Sequence, residues 1–163
     1  MDIRKIYEYA LSREYEGKRF FQENASRLSH SAAVAAFNRL AEEEQRHIEF
    51  IQLQISLLDK PQTAEPLTPA DPAGAGYFTQ RAASELIDQT VYESMVPDLP
   101  VLRMAYLIER DFAEFYESSA RTVDGQAKTV LESLAAWERN HERFFKHLHD
   151  RVLEQYGEMP WGG

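Results

Sequence analysis

The feature that most restricts the fold is an internal repeat. Ala10, Glu14, Phe20, Phe21 and Ala25 recur, shifted by 95 residues, as Ala105, Glu109, Phe115, Tyr116 and Ala120. Leu40, Ala41, Glu44, His47 and Phe50 recur, shifted by 94, as Leu134, Ala135, Glu138, His141 and Phe144. Within each copy the apolar positions fall at steps of three and four, which is the period of an amphipathic helix and not of a strand. The chain therefore reads as two copies of one helical hairpin, whose apolar stripes must face each other to leave water.

Laid along the chain, this periodicity predicts a first helix over residues 3–28 and a second over 32–58. "SHS" at 29–31 lies between them and offers capping hydroxyls. The second helix should stop at "DKP", residues 59–61, because proline cannot continue it. Residues 60–76 hold four prolines and two glycines with few large apolar groups, so they are expected to be a linker long enough to cross a bundle from end to end. A short extra helix is expected over 78–95. Pro100 suits the first turn of a third main helix over 100–122, "VDG" then turns the chain, and a fourth helix runs over 126–156. The expected architecture is a single all-α domain, residues 1–163. It is an antiparallel four-helix bundle made of hairpin 1 (about 1–59) and hairpin 2 (about 100–156), joined by a long crossover.

Composition narrows the function. With 163 residues, 44% of them hydrophobic and 12% aromatic, the chain can enclose a packed core. A formal charge of −9 argues against nucleic acid or an anionic membrane as partner, since both require a basic face. There is no cysteine, so any metal must be held by oxygen and imidazole. The start, "MDIRKIYEYALSREYEG", has no apolar run of signal-peptide length, and the expected location is cytoplasmic.

A lone Glu-x-x-His such as Glu44 and His47 arises by chance in a glutamate-rich chain. Here it occurs twice in matching context, as "LAEEEQRHIEF" at 40–50 and "LAAWERNHERF" at 134–144. Helical rise gives an independent test. Glu14 and Glu44 each lie about 20 Å from the first interhelical turn at 1.5 Å per residue, and Glu109 and Glu138 flank the second turn by nearly the same distances. The bundle thus brings four glutamates and two histidines to one level, and the i, i+3 spacing aims each Glu–His pair together. Four carboxylates in an apolar interior need compensation, and two divalent cations supply it while the imidazoles complete coordination. A donor set of this kind suits iron or manganese, with zinc as a further occupant.

Glu from two helices plus Glu-x-x-His from the other two is the pattern of ferritin-like di-metal carboxylate bundles. The segments "ALSREYEGKRFF" with "LAEEEQRH", and "AYLIERDFAEFY" with "LAAWERNH", resemble the rubrerythrin branch of that superfamily over nearly the whole chain apart from the linker and the segment near 77–98. The resemblance implies Glu14 and Glu109 as terminal carboxylates, Glu44 and Glu138 as bridging ones, and His47 and His141 as nitrogen ligands. It also implies two iron ions as cofactor and a homodimer, in which the linker would let hairpins pair between chains. Rubrerythrins proper add a cysteine-rich electron-transfer domain, which these residues do not contain. Many carry an extra glutamate one turn after a ligand, linked to iron movement in peroxide reduction, where this chain has Gly17 and Phe112. The aromatic pair is also unequal, Phe21 in one hairpin and Tyr116 in the other.

Tyr116 lies seven residues after Glu109, and two readings stay open: a hydroxyl that bonds a ligand carboxylate or supplies an electron, and a plain core aromatic. Phe20, Phe37, Phe115, Trp137 and Phe144 read as core. His30, His147 and His149 read as capping or solvated, and Glu42 and Glu43 as a solvated helix face. The function implied is a di-iron oxidoreductase that reduces hydrogen peroxide or dioxygen, as a peroxidase or ferroxidase, with an external electron donor. Two other classes remain open: a non-catalytic iron-binding, storage or sensing bundle, and a purely structural bundle whose acidic and histidine residues are relics.

Overall fold

The computed structural model describes residues 2–59 and 94–159. They form helices α1 (Ile3–Ala25), α2 (Ser31–Leu58), α3 (Leu99–Ala120) and α4 (Gly125–Glu158), with a 3-10 turn at Val96–Asp98 ahead of α3. No strand occurs among the described residues, and the protein is an all-α ferritin-like bundle. The linker expected over 60–76, and all but the last two residues of the short helix expected over 78–95, lie outside the described residues.

Each helix buries one stripe and starts at an identifiable cap. On α1 the buried residues Ile6, Tyr7, Ala10, Glu14, Gly17, Phe21 and Ala25 recur every three or four positions, and the Asp2 carboxylate accepts from the Arg4 N–H at 3.1 Å. The helix ends at Ala25, three residues before the expected boundary. Leu28 is buried although it lies beyond the helix, so it prolonged the apolar pattern without prolonging the helix. At α2 the cap is the His30 side chain, whose Nδ1 accepts from the Ala32 N–H, in place of the serine hydroxyls expected of "SHS". Asp98 closes the same end by accepting the N–H groups of Ser29, at 2.7 Å, and His30. Gly125 opens α4 with a φ of +62°, a conformation that favours glycine and lets the two-residue turn after Thr122 reverse the chain.

Helices α1 and α2 pack as one hairpin and α3 and α4 as the other, with α1 also against α3. Two apolar clusters fill the bundle. One gathers Phe21, Phe37, Leu102, Phe145 and Val152, and the other Ile6, Tyr7, Ile51, Phe112, Tyr116 and Leu131. Phe21 therefore meets the start of α3 while Ile6 meets its end, so α1 and α3 run antiparallel, and Phe37 with Phe145 shows the same for α2 and α4. Three fully buried phenylalanines, Phe21, Phe37 and Phe145, contribute about 1.5–3 kcal/mol each. Between the clusters in sequence lie Glu14, Glu44, Glu109 and Glu138, one from each helix and all fully buried. No helix among the described residues is long and apolar enough to cross a membrane.

Candidate metal centre

Each helix places a fully buried glutamate on its inner stripe, and α2 and α4 add a histidine one turn later: Glu14 on α1, Glu44 and His47 on α2, Glu109 on α3, Glu138 and His141 on α4. The structure brings all six together. Their donor atoms form two groups within 4.8 Å, one of Glu14, Glu44, His47 and Glu138, the other of Glu44, Glu109, Glu138 and His141. Glu44 and Glu138 belong to both groups, and Glu14 and Glu109 to one each.

Both imidazoles turn Nδ1 toward the carboxylates. His47 Nδ1 stands 3.0 Å from Glu138 Oε1, 3.2 Å from Glu14 Oε2 and 3.6 Å from Glu44 Oε2. His141 Nδ1 stands 3.3 Å from Glu109 Oε2, 3.4 Å from Glu138 Oε2 and 3.8 Å from Glu44 Oε1. The two rings stack with centroids 5.5 Å apart. The Tyr116 hydroxyl donates to Glu14 Oε1, which joins this residue to the cluster.

Electrostatics show how poorly the chain alone satisfies this cluster. Burial and the charges of Glu138 and Glu14 push the Glu44 carboxyl well above the usual range, and burial with Glu138 does the same to Glu109. Burial opposes ionisation of Glu138 too, but the facing His47 and His141 hold its carboxyl well below the usual range. Burial likewise disfavours protonated His47 and His141, yet the surrounding carboxylates hold both well above an ordinary histidine. Burial and the neighbouring carboxylates keep the Tyr116 phenol neutral. The buried oxygens Glu44 Oε1 and Oε2 and Glu109 Oε1 have no hydrogen-bond partner among the described residues. Leaving such acceptors buried and unpaired costs about 1–3 kcal/mol each. Convergent unpaired carboxylate oxygens beside imidazole nitrogens are a donor set that fits a pair of hard or borderline divalent cations.

The sequence matches the family model for rubrerythrin over residues 5–149. The chain belongs to the rubrerythrin family. No curated protein and no solved structure gives a significant match.

One residue at this rubrerythrin-family centre escapes sequence reading. Glu43, expected on a solvated face, is buried, and its Oε2 lies 2.9 Å from His141 Nε2 while its Oε1 accepts from Arg39 Nε at 3.1 Å. Trp137, expected in the core, stacks on the His47 ring with centroids 5.1 Å apart. The available signal for Glu43 was Arg39, four residues earlier on the same helix. Glu42, by contrast, is exposed, as is His147; His149 pairs with Asp150 and meets the Tyr106 ring edge.

Proposed function

We propose that this rubrerythrin-family chain is a di-iron carboxylate oxidoreductase that reduces hydrogen peroxide or dioxygen. Glu14, Glu44, His47, Glu109, Glu138 and His141 would hold the metals, with Glu44 and Glu138 shared between them. The observation that carries this is the pair of overlapping donor groups whose common members, Glu44 and Glu138, are fully buried and face both imidazoles. Bound iron would supply the redox chemistry, passing two electrons to the O–O bond of the oxidant.

The chain's own residues set the conditions for that chemistry. Four carboxylates balance two divalent cations, and the imidazoles add donors without adding charge. Tyr116 orients Glu14 by donating to its Oε1, leaving Oε2 on the side of His47. Phe112 packs over Gly17 next to Glu44 and keeps bulk water from that side. Manganese or zinc would suit the same donors.

Electrons must come from an external donor, because no cysteine is present to build a thiolate-bound redox centre within these residues. The family and the acidic composition support a cytoplasmic protein without nucleic-acid or membrane partners. The length and proline content of residues 60–76 support a homodimer with hairpins exchanged between chains. A monomeric mass at micromolar concentration would count against that assembly.

Anaerobic Fe(II) titration of metal-free protein, followed by peroxide or air in separate aliquots with a reductant present, tests the function. Two irons per chain and repeated oxidation and re-reduction are expected, with the faster oxidant naming the substrate. Uptake of two irons without repeated consumption of oxidant would make the protein a metal store or sensor. Failure to take up iron would remove the centre altogether.

A further inference from the structure

The internal repeat makes Glu43 and Trp137 equivalent positions, and likewise Arg39 and Ser133, all shifted by 94. Their side chains do different work. Glu43 on α2 reaches across to α4 and meets His141 Nε2 at 2.9 Å, with Arg39 Nε 3.1 Å from its other oxygen. Trp137 on α4 reaches back toward α2 and covers the face of His47 without offering it an acceptor. Among the described residues every carboxylate paired with His47 lies on its Nδ1 side.

We infer that Glu43 is a positioning residue for His141 that makes the two metal sites chemically unequal, an inference that rests on the metal centre proposed above. An ionised carboxylate only accepts, so the proton between Glu43 and His141 must sit on Nε2. A metal held through Nδ1, which faces Glu44, Glu109 and Glu138, would then meet the tautomer with its lone pair there. Arg39 Nε, 3.1 Å from Glu43 Oε1, places a positive charge beside the same carboxylate. A carboxylate on the far nitrogen of a ligating histidine fixes the ring's orientation and raises its basicity, and loss of such a partner costs about 10–100-fold in metal affinity. Among the described residues His47 has an aromatic face and no carboxylate beyond those on its Nδ1 side, so the effect is confined to the site that contains His141.

Co(II) titration of the metal-free full chain, read by visible absorbance and calorimetry, tests this without reference to turnover. Wild type should bind two ions. Glu43→Ala should weaken one binding step by about 10–100-fold and leave the other within about two-fold. Glu43→Gln keeps the shape and one acceptor, so it should show a smaller loss in the same step and carries the test if the alanine variant folds poorly. In a His141→Ala background, Glu43→Ala should cause no further loss, which a general loosening of the bundle would not reproduce. Unchanged affinities in Glu43 variants of a protein that still binds two ions would overturn the inference alone. So would equal weakening of both steps, or an undiminished effect in the His141→Ala background. A wild type that binds no Co(II) would overturn the metal centre and this inference with it.

Discussion

The two halves of the centre are built from equivalent positions and supported by non-equivalent ones. Glu14 and His47 in the first hairpin correspond to Glu109 and His141 in the second, and both pairs point the same atoms inward at similar distances. Around them the correspondence fails. Tyr116 donates to Glu14, whereas Phe21, its counterpart, is an apolar member of the Phe37 and Phe145 cluster. Glu43 braces His141, whereas its counterpart Trp137 stacks on His47. Gly17 leaves a gap and Phe112, its counterpart, fills it. The repeat thus preserves the residues that would touch metal, while the residues behind them have diverged. Such divergence lets one half of a pseudo-symmetric centre differ from the other in affinity and reactivity.

The sharpest break in this comparison comes from separating shared from unshared carboxylates. Glu138→Gln removes a donor from both groups and should leave almost no metal on the protein after desalting. Glu109→Gln removes one from the His141 half alone and should leave about one ion per chain, on Glu14, Glu44, His47 and Glu138. Elemental analysis of protein equilibrated with Fe(II) or Mn(II) reads both. Equal losses from the two variants would mean the halves do not fill independently. Glu44→Gln adds a change of opposite sign. The folded-state carboxyl of Glu44 is raised, so in metal-free protein its ionisation costs stability as pH rises above the ordinary carboxylate range. The neutral amide should therefore stabilise the metal-free chain at pH 7, by about 1–3 kcal/mol, while reducing the further stabilisation that metal gives. Thermal melts with and without metal would show it, and a bundle whose acids are relics would show no change in the metal-dependent part.

A smaller effect sharpens the aromatic difference. Tyr116→Phe deletes the hydroxyl that satisfies buried Glu14 Oε1 and should cost about 1–3 kcal/mol in denaturant unfolding of the metal-free protein. The reciprocal Phe21→Tyr gives the other half a hydroxyl at the equivalent position, and Phe21 packs against Phe37 and Phe145 in the apolar cluster. It should destabilise without restoring what Tyr116→Phe lost. If the double variant were as stable as wild type, the two positions would be interchangeable and the asymmetry at Glu14 would carry no weight.

What the sequence disclosed follows from what periodicity can report. The four main helices and the common level of the six polar residues were legible because the repeat tests each reading twice. The part played by Glu43 was not. A single-stripe view of α2 sends Glu43 to solvent, because it sits about 100° round the helix from Glu44. In the bundle, α2 faces both α1 and α4, so its buried arc is wide enough to hold both neighbours. The early end of α1 reflects a different limit: a buried residue such as Leu28 satisfies an apolar pattern from a turn as well as from a helix.

The smallest predicted change concerns the gap at Gly17. A methyl group there would stand 2.9 Å from Phe112 Cε2 and 3.5 Å from Glu44 Oε2. Alanine favours helix over glycine by about 0.5–1 kcal/mol, which alone would make Gly17→Ala stabilising. The opposing term is overpacking of a buried ring, about 1–3 kcal/mol, and Phe112 is almost wholly buried, with the Arg13 guanidinium 4.8 Å from its centroid. The clash should win narrowly, giving a net loss of about 1 kcal/mol in denaturant unfolding. Gly17→Ala placed in a Phe112→Leu background should instead be neutral or stabilising, since the ring that opposes the methyl is gone and only the helix preference remains. A loss of equal size in both backgrounds would show that the methyl meets Glu44 rather than Phe112, and that the gap belongs to the clustered carboxylates and not to the ring across from it.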